Sequence, residues 1–168
     1  VADKWTALVA DPDVDAICIG TWPYMHRTMV LAALENGKHV LTEARFAMNA
    51  AEAQEMLQAS RAKPGVVTQI VPAGFTFAVD QMIRDLLSEG YVGKILSVDM
   101  DVQQGLLTAE SPATWRHDRE VSGFNIMLIG AWYECMMRWV GEVSSVRALS
   151  RVVVTSRSDG TGIQQTMD

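Results

Sequence analysis

Trp115, Arg116 and His117 are consecutive residues whose side chains could bind a small polar molecule and move a proton. The arginine offers five N–H donors in a fixed fork, which suits an anionic or hydroxyl-bearing substrate. The histidine titrates near neutrality without a large shift of its pKa. Further along the chain, Tyr133 and Glu134 could do the same work only with strongly perturbed pKa values. The segment around Arg116 is polar and turn-rich, so a loop that simply faces water is the alternative interpretation.

Other polar side chains directly follow predicted strands. Thr21, Trp22 and Pro23 come after the apolar run 15–20. Ligands of open parallel sheets bind at the carboxyl ends of the strands. We therefore expect these three residues to contact a ligand, with a simple turn as the alternative. His26 is a further candidate contact in the first turn of the next helix, where a structural hydrogen bond is the simpler interpretation.

Glu43 and Arg45 follow the next predicted strand, residues 39–42. The same rule places them at the edge of the sheet where ligands bind. Two interpretations stay open for this pair: they contact a ligand, or they form a solvated ion pair with each other. His39 begins that strand at the opposite end of the sheet, so we expect a structural role for it.

The first 70 residues alternate short apolar runs with helical patterns. Strands are predicted at 15–20, 39–42 and 66–70, and their largely apolar composition is typical of a sheet buried on both faces. The helix between the first two strands ends at Gly37. Asn49 and Glu52 have capping-box spacing and open the second helix. A strand–helix–strand–helix–strand order with short links indicates an α/β fold with a parallel sheet and right-handed crossovers.

The pattern changes near residues 72–78. An amphipathic helix is predicted from Val79 to Gly90, and strict alternation over 96–102 indicates a strand with one buried and one wet face. Further elements follow: a helix over 125–140, a strand over 143–155 and a polar loop over 156–168. We therefore expect two domains, residues 1–74 with the parallel sheet and residues 75–168 with an α+β arrangement and an open, mainly antiparallel sheet.

Composition and charge exclude several classes of function. The net charge is −6 and no lysine or arginine run occurs, which argues against a nucleic-acid or anionic-membrane surface. No apolar stretch reaches the roughly 18 residues that a membrane span needs. Cys18 and Cys135 have no metal-type spacing, so we expect neither a metal site nor a disulfide framework. No signal peptide is visible, and a reducing cytoplasm is the simplest expectation.

Seven segments resemble, in order and spacing, motifs of the Gfo/Idh/MocA-type NAD(P)-dependent oxidoreductases. Each motif alone is weak, but their order and spacing together are strong, and the resemblance covers nearly the whole chain up to about residue 155. The segments are DPDVDA at 11–16 with Thr21 and His26 beyond it, AALENGKHVL at 32–41, EAR at 43–45, NAAEA at 49–53, SEGYVGKI at 88–95, WR at 115–116 and RWVGE at 138–142.

The resemblance implies the carboxyl-terminal part of a Rossmann-like NAD(P)-binding domain, followed by the first part of an α/β domain for substrate and oligomer contacts. NAD or NADP is therefore the expected cofactor of the full-length protein. The family's glycine-rich phosphate-binding loop, G-x-G-x-x-G, does not occur in these 168 residues and would precede Val1. The resemblance also implies a homo-oligomer built through the open sheet.

The residues that carry chemistry in the family differ here. Ala44 stands where the family has the Lys of Glu-Lys-Pro. Leu128, Trp132 and Cys135 stand where a helix carries Asp, His and Asp. Because alanine, leucine and tryptophan cannot accept a hydroxyl proton, the acid–base group has either moved or been lost.

Combining the resemblance with the residue types gives one set of expected sites. The cofactor would contact Thr21, Trp22, Pro23, His26, Glu43 and Arg45; the substrate would contact Trp115, Arg116, Asn125 and Trp132; and His117 or Tyr133 would carry the proton, with Glu134 as a further candidate. A core stripe of Trp and Met is the alternative for the Asn125–Trp132 face.

The expected activity is oxidation or reduction of a sugar, polyol or related small hydroxylated substrate. The alternatives are a catalytically degenerate member that binds a nucleotide or sugar, and an assembly subunit that pairs through its sheet. Ala44 and Trp132 favour the degenerate member, whereas Thr21, Glu43 and the Trp115–Arg116 pair favour the enzyme.

Overall fold

The computed structural model describes residues 3–71, 77–103, 108, 110–124, 127–158 and 164–166. Helices and strands alternate in the amino-terminal part, and most of the later elements are helices. In chain order they are α1 Trp5–Ala10, β1 Ala16–Ile19, α2 Pro23–Glu35, β2 His39–Thr42, α3 Ala50–Arg61, β3 Thr68–Ile70, α4 Asp80–Ser88, a 3₁₀ turn Trp115–His117, α5 Arg119–Ser122, α6 Met127–Val140, β4 Ser156–Ser158 and β5 Gln164–Thr166.

The predicted parallel sheet is present, in the order β1-β2-β3. Its core lies between one face of the sheet and helices α2 and α3, where apolar side chains of both layers are buried together. These are Val9, Ile17, Ile19, Met29, Val30, Ala33, Leu34, Val40 and Met56. The removal of this apolar surface from water is the main term that stabilises this part of the fold.

The helix ends follow the sequence signals. Gly37 lies just past the end of α2 with φ of 70°, a conformation that glycine adopts at little steric cost. At the start of α3, the Asn49 side chain accepts a hydrogen bond of 3.0 Å from the Glu52 amide. The Glu52 carboxylate accepts one of 3.1 Å from the Met48 amide, one residue earlier than in a standard capping box.

The second face of the sheet differs from the expectation of burial on both faces. Cys18 of β1 and Leu41 of β2 alternate with the buried residues and are exposed, with Leu41 at 38%. Alternate side chains of a strand point to opposite faces. Within the described residues only one face has a helical layer on it, so the apolar residues of the other face remain in contact with solvent.

The carboxyl-terminal part is held together at the contact between α4 and α6. Asp80 accepts a hydrogen bond of 2.7 Å from the Trp139 indole and one of 3.4 Å from Arg138. Phe77 stacks against Trp132, with ring centroids 5.7 Å apart, and meets Trp139 at a tilt. The Asp80 carboxylate therefore joins the start of α4 to the last turn of α6.

The predicted antiparallel sheet is not formed in the described part of this chain. Residues 96–102 and 143–155 are neither strand nor helix, and their apolar side chains are exposed except for the half-buried Val154, with Leu96 at 87% and Leu149 at 102%. A strand exists only through hydrogen bonds to a neighbouring strand. Residues 96–102 therefore have the alternating sequence pattern of a strand, but no neighbouring strand pairs with them among the described residues.

The tail was expected to be a loop, and this prediction was wrong for part of it. Ser156–Ser158 pairs antiparallel with Gln164–Thr166, and Arg157 is buried with its guanidinium donating to the Thr108 and Ser111 carbonyls at 2.6 and 2.8 Å. The expected boundary at 72–78 lies mostly outside the described residues and stays a prediction. No helix in the described part is long and apolar enough to span a membrane.

Candidate functional site

The loops after β1 and β2 lie side by side at the carboxyl edge of the parallel sheet. Ile19 pairs with Thr42 in the last register position, so Thr21 and Glu43 each follow within two residues of the paired strand ends. Pro23 is buried at the first position of α2, whereas Thr21, Trp22 and Glu43 are exposed. The edge therefore presents a hydroxyl, an indole and a carboxylate to solvent.

His26 connects these two loops from beneath. Its side chain is 1% exposed, and its Nε2 and Nδ1 lie 2.9 Å and 3.2 Å from the carbonyl oxygens of Thr21 and Phe46. A neutral imidazole can donate from only one of its nitrogens, whereas an imidazolium donates from both. The structural hydrogen bond expected for His26 is present, and its burial removes the ring from any ligand at the surface.

Arg45 joins this edge to a distant segment of the chain. Its Nη1 donates 2.9 Å to the Phe124 carbonyl, and its Nη2 donates to the Ser122 hydroxyl. The Ser122 hydroxyl in turn donates 3.2 Å to the Arg116 carbonyl. Glu43 forms no ion pair with Arg45, so the solvated pair considered from the sequence is not found.

The backbones of the two segments touch next to these hydrogen bonds. Gly123 has φ of 64°, and a Cβ added to it would lie 2.3 Å from the Met48 carbonyl oxygen. Only a residue without a side chain allows this approach. The segment 118–124 is therefore pressed directly against the loop that follows Arg45.

Trp22 and Trp115 form the aromatic part of the site. Their rings stack with centroids 5.8 Å apart and planes 17° apart, and the Arg116 guanidinium lies 4.2 Å from the centre of the Trp115 ring. Stacked aromatic rings and cations over aromatic faces attract each other. The predicted cofactor residue Trp22 and the predicted substrate residues Trp115 and Arg116 are thus brought together.

His117 has a structural role in the 3₁₀ turn, unlike its neighbours Trp115 and Arg116. Its Nδ1 accepts a hydrogen bond of 2.9 Å from the Thr114 amide, which closes the capping box of the 3₁₀ turn. Burial, and then the charge of Arg157, lower the pKa of His117. Since Arg157 belongs to β4, His117 lies toward the carboxyl-terminal hairpin, and its Nδ1 lone pair is already engaged.

The helix α6 supplies packing at the positions where chemistry was expected. Trp132 stacks on Phe77, and Glu134 is paired with Arg138 at 3.5 Å, one turn along the helix. The stack on Phe77 favours the core-stripe alternative for Trp132, which is half-buried, and its predicted substrate contact stays a prediction. Tyr133 is half-buried on the same helix. Asn125 lies outside the described residues, so its predicted substrate contact stays a prediction.

Two arginines raise the positive charge of the edge. Burial lowers the pKa of the Arg45 guanidinium, and the nearby charge of Arg116 lowers it further. Both effects disfavour the charged form of Arg45.

No group of three or more acidic, histidine or cysteine side chains that could hold a metal ion occurs among the described residues.

Sequence reasoning missed the residues that hold the site together. The Ser122 hydroxyl and the Phe124 carbonyl accept hydrogen bonds from the Arg45 guanidinium, and the Met48 backbone lies in close contact with Gly123. The only local signal is the glycine itself, because glycine tolerates a positive φ and a close approach of another backbone. Its contact partner, 75 residues earlier in the chain, could not be read from local pattern.

Comparison with known proteins gives matches over nearly the whole chain. Residues 1–70 match the model of the "Oxidoreductase family, NAD-binding Rossmann fold", and residues 81–166 match the "GFO/IDH/MocA C-terminal domain". The 1,5-anhydro-D-fructose reductase of Ensifer adhaerens is 35% identical over 121 residues, which are 72% of this chain and 35% of that protein.

Two solved structures have a similar fold. A levoglucosan dehydrogenase in complex with NADH superposes with a TM-score of 0.78 at 23% identity and covers 99% of this chain and 45% of its own. Biliverdin reductase from Synechocystis, in complex with biliverdin and NADP+, gives a TM-score of 0.65 at 26% identity over 86% of this chain and 44% of its own. This chain spans less than half the length of these relatives.

We predict that the approach of Gly123 to Met48 is required for the site to form. In Gly123→Ala the new methyl group would collide with backbone, so the 115–124 segment must move away from residue 48. The matched control is Gly90→Ala, because Gly90 has φ of 73° but nothing within 4 Å of an added Cβ. The control should lose only about 1–2 kcal/mol, the cost of a left-handed alanine.

Urea unfolding and near-ultraviolet circular dichroism test this prediction. Gly123→Ala should destabilise more than Gly90→Ala and should also remove the signal of the stacked Trp22–Trp115 pair. Equal losses in the two variants, with the aromatic signal intact in both, would show that the close approach has no role.

Proposed function

Since the chain belongs to the Gfo/Idh/MocA family of oxidoreductases, we propose that the whole protein is an NAD(P)-dependent oxidoreductase whose substrate is a sugar, polyol or related small hydroxylated molecule. The single observation that carries this proposal is the convergence at one edge of the parallel sheet. There the loops after β1 and β2 meet the Trp115–Arg116 turn. Relatives named as a sugar reductase and a levoglucosan dehydrogenase support the substrate class.

The residues at this edge fit a dinucleotide. Ribose hydroxyls need acceptors and donors that are not already paired, and Glu43 offers an exposed carboxylate without an ion-pair partner among the described residues. Thr21 is an exposed residue, and its hydroxyl donates a weak hydrogen bond of 3.8 Å to the Met29 sulfur. The proposed cofactor contacts are therefore Thr21, Trp22, Glu43 and Arg45, whereas the predicted contact Pro23 is as fully buried as His26 and does not present its side chain to a ligand at the surface. When bound, the nicotinamide supplies the hydride chemistry.

The chain's own residues would orient the substrate and limit its access to water. The Trp22–Trp115 stack provides an apolar wall, and Arg116 provides donors for substrate oxygens. Holding the reacting groups in one orientation lowers the activation barrier without any covalent step. Besides its proposed ligand contact, Arg45 holds the segment that carries Arg116, through its hydrogen bonds to Ser122 and Phe124.

The proposal is tested with the whole protein and a panel of sugars and polyols. We expect NADH or NADPH to bind at micromolar concentrations, and at least one panel member to give a change in cofactor absorbance. The variant Trp22→Ala tests the position of the site, because it removes the exposed indole and should weaken dinucleotide binding without unfolding the protein. Failure of both dinucleotides to bind at millimolar concentration would contradict the proposal.

A second candidate function rests on a specific observation. Ala44 occupies the position of the family's lysine, and Trp132, at the position of its histidine, is stacked on Phe77 in a packing role. An alanine and a packed tryptophan at these two positions are expected in a catalytically degenerate member that binds a nucleotide or sugar. Dinucleotide binding without turnover of any panel member would favour this alternative.

We also propose that the whole protein forms a homo-oligomer through the sheet of its second domain. The exposed apolar residues of 96–102 and 143–155 support this, because a large apolar surface on a water-soluble protein usually marks a contact. In that case a strand partner comes from elsewhere in the full-length protein, and the open sheet is covered by a second copy.

The proton carrier proposed from the sequence was His117, with Tyr133 and Glu134 behind it. The geometry favours a capping role for His117, because its Nδ1 accepts from the Thr114 amide and its pKa is lowered by burial. Protonation would break that hydrogen bond. Tyr133 then becomes the stronger candidate, because Glu134 is already paired with Arg138.

We predict that His117→Ala in the whole protein lowers stability but reduces kcat by less than tenfold. A lost hydrogen bond typically costs about 0.5–1.5 kcal/mol, whereas a lost acid–base group costs about 10²–10⁴-fold in rate. His117→Asn, which retains an acceptor, should recover part of the stability. A loss of kcat of a hundredfold or more, in a variant of unchanged fold, would restore His117 as the proton carrier.

The pH dependence of stability gives a second measurement on the same variant. The pKa of His117 is lower in the folded chain than its ordinary value of 6.5, so the folded state favours the neutral ring. The stabilisation from the neutral ring is present above pH 6.5 and is lost as the pH falls through the folded pKa. His117→Ala should remove this part of the acid destabilisation.

A further inference from the structure

Arg45 and Arg116 place two guanidinium groups at the carboxyl edge of the sheet without an acidic partner. The ion pairs of the described residues join Arg27 to Glu55 and Arg138 to Asp80 and Glu134, so neither of these two arginines takes part in one. Like charges held together destabilise the folded state unless an opposite charge offsets them. Among the described residues no carboxylate lies within ion-pair distance of either guanidinium, and the Glu43 carboxylate of the same edge is paired with neither.

Arg45 and the backbone of Arg116 are joined through one side chain. The Ser122 hydroxyl accepts from the Arg45 guanidinium and donates to the Arg116 main-chain carbonyl, so the two residues lie in adjacent segments at this edge. Arg45 is half-buried, and its Nε is buried without a hydrogen-bond partner. The charge of Arg116 also disfavours the charged form of Arg45, consistent with two close cations.

The side chains are only partly used by the protein. Arg45 spends one N–H of each terminal nitrogen on Ser122 and Phe124, which leaves further donors on the same fork. The exposed Arg116 guanidinium lies over the Trp115 ring and makes no hydrogen bond through its side chain within the described part. A planar guanidinium on an aromatic face is held in orientation but keeps its N–H edge available.

We propose that Arg45 and Arg116 together bind an anionic oxygen group, a carboxylate or a phosphate, of a ligand at this edge. Carboxylates and phosphates are the groups that guanidinium forks bind in two-point fashion. This inference rests on the proposed function, and it narrows the substrate class to sugar acids and phosphorylated sugars if the anion is on the substrate. The second source is a phosphate of the dinucleotide.

The neighbouring aromatic pair supports a ligand with a ring next to its anionic group. Trp22 is 46% exposed and stacked on Trp115, so its indole offers a broad apolar surface. The Arg116 guanidinium lies over the same Trp115 ring, which places an aromatic surface and a cation in one small part of the edge. Neutral sugars would use the aromatic surface but leave both cations uncompensated.

Binding measurements on the whole protein test this directly. Glucuronate and glucose share the same ring hydroxyls and differ in the carboxylate, and inorganic phosphate is the minimal anion. Calorimetry at low ionic strength, where charge interactions are least screened, should give tighter binding for glucuronate than for glucose. Arg116→Gln should weaken the binding of the anion by about tenfold or more, as expected for a lost charge-assisted hydrogen bond.

The control variant is Arg61→Gln. Arg61 is an exposed arginine in the last turn of α3, which leads into β3 at the opposite end of the sheet. The Arg61→Gln substitution removes the same positive charge from the protein but leaves the carboxyl edge of the sheet unchanged. Circular dichroism should show both variants folded, because both residues are exposed.

A third ligand separates the two sources of the anion. If Arg116→Gln weakens glucuronate alone, the carboxylate belongs to the substrate; if it weakens NADH or NADPH alone, the anion is a dinucleotide phosphate. The inference is overturned if Arg116→Gln matches Arg61→Gln for phosphate, glucuronate and both dinucleotides. None of these measurements requires turnover, so the absence of oxidoreductase activity would contradict the proposed function and leave this inference standing.

Discussion

The site depends on one contact, the hydrogen bonds from the Arg45 guanidinium to Ser122 and Phe124 beside the close approach of Gly123 to Met48. The segments they join are separated by more than 70 residues and belong to different parts of the chain. Without this contact the loops after β1 and β2 would present polar groups to water, and the Trp115–Arg116 turn would have no fixed position relative to them. The stacking of Trp22 on Trp115 brings together the same two parts of the chain.

The same contact explains how an arginine can follow a strand at a ligand-binding edge. Burial disfavours the charged form of Arg45, and the nearby Arg116 adds repulsion. Two hydrogen bonds to a carbonyl and a hydroxyl compensate part of this cost, since oxygen acceptors stabilise a guanidinium. His26 performs a similar task beneath, where its ring nitrogens meet the carbonyl oxygens of both loops. Polar side chains thus organise an edge that has no regular backbone pairing.

The sequence was sufficient to predict the elements that depend on local pattern. The strand 39–42 was predicted with the bounds that the structure has, and Gly37 and Asn49 fixed the helix ends because capping is a local property. The antiparallel sheet was predicted from alternation alone and is not formed in the described residues, since alternation records which face would be buried and not whether a partner strand is available. His117 was grouped with Arg116 by adjacency, but a 3₁₀ turn points neighbours in different directions. The partners of Arg45 could not be predicted, because they are contacts of tertiary structure.

We propose that ligand binds at the carboxyl edge of the parallel sheet, next to the Trp22–Trp115 stack and the two arginines. Indole N–H resonances of the whole protein test it most directly, because Trp22 and Trp115 lie at this edge and Trp139 is held by Asp80 at the α4–α6 contact. Single Trp→Phe substitutions assign the resonances. On addition of NADH and of glucuronate, the Trp22 and Trp115 resonances should shift while that of Trp139 stays in place. Saturable binding that moves the Trp139 resonance and leaves Trp22 and Trp115 unchanged would contradict the account.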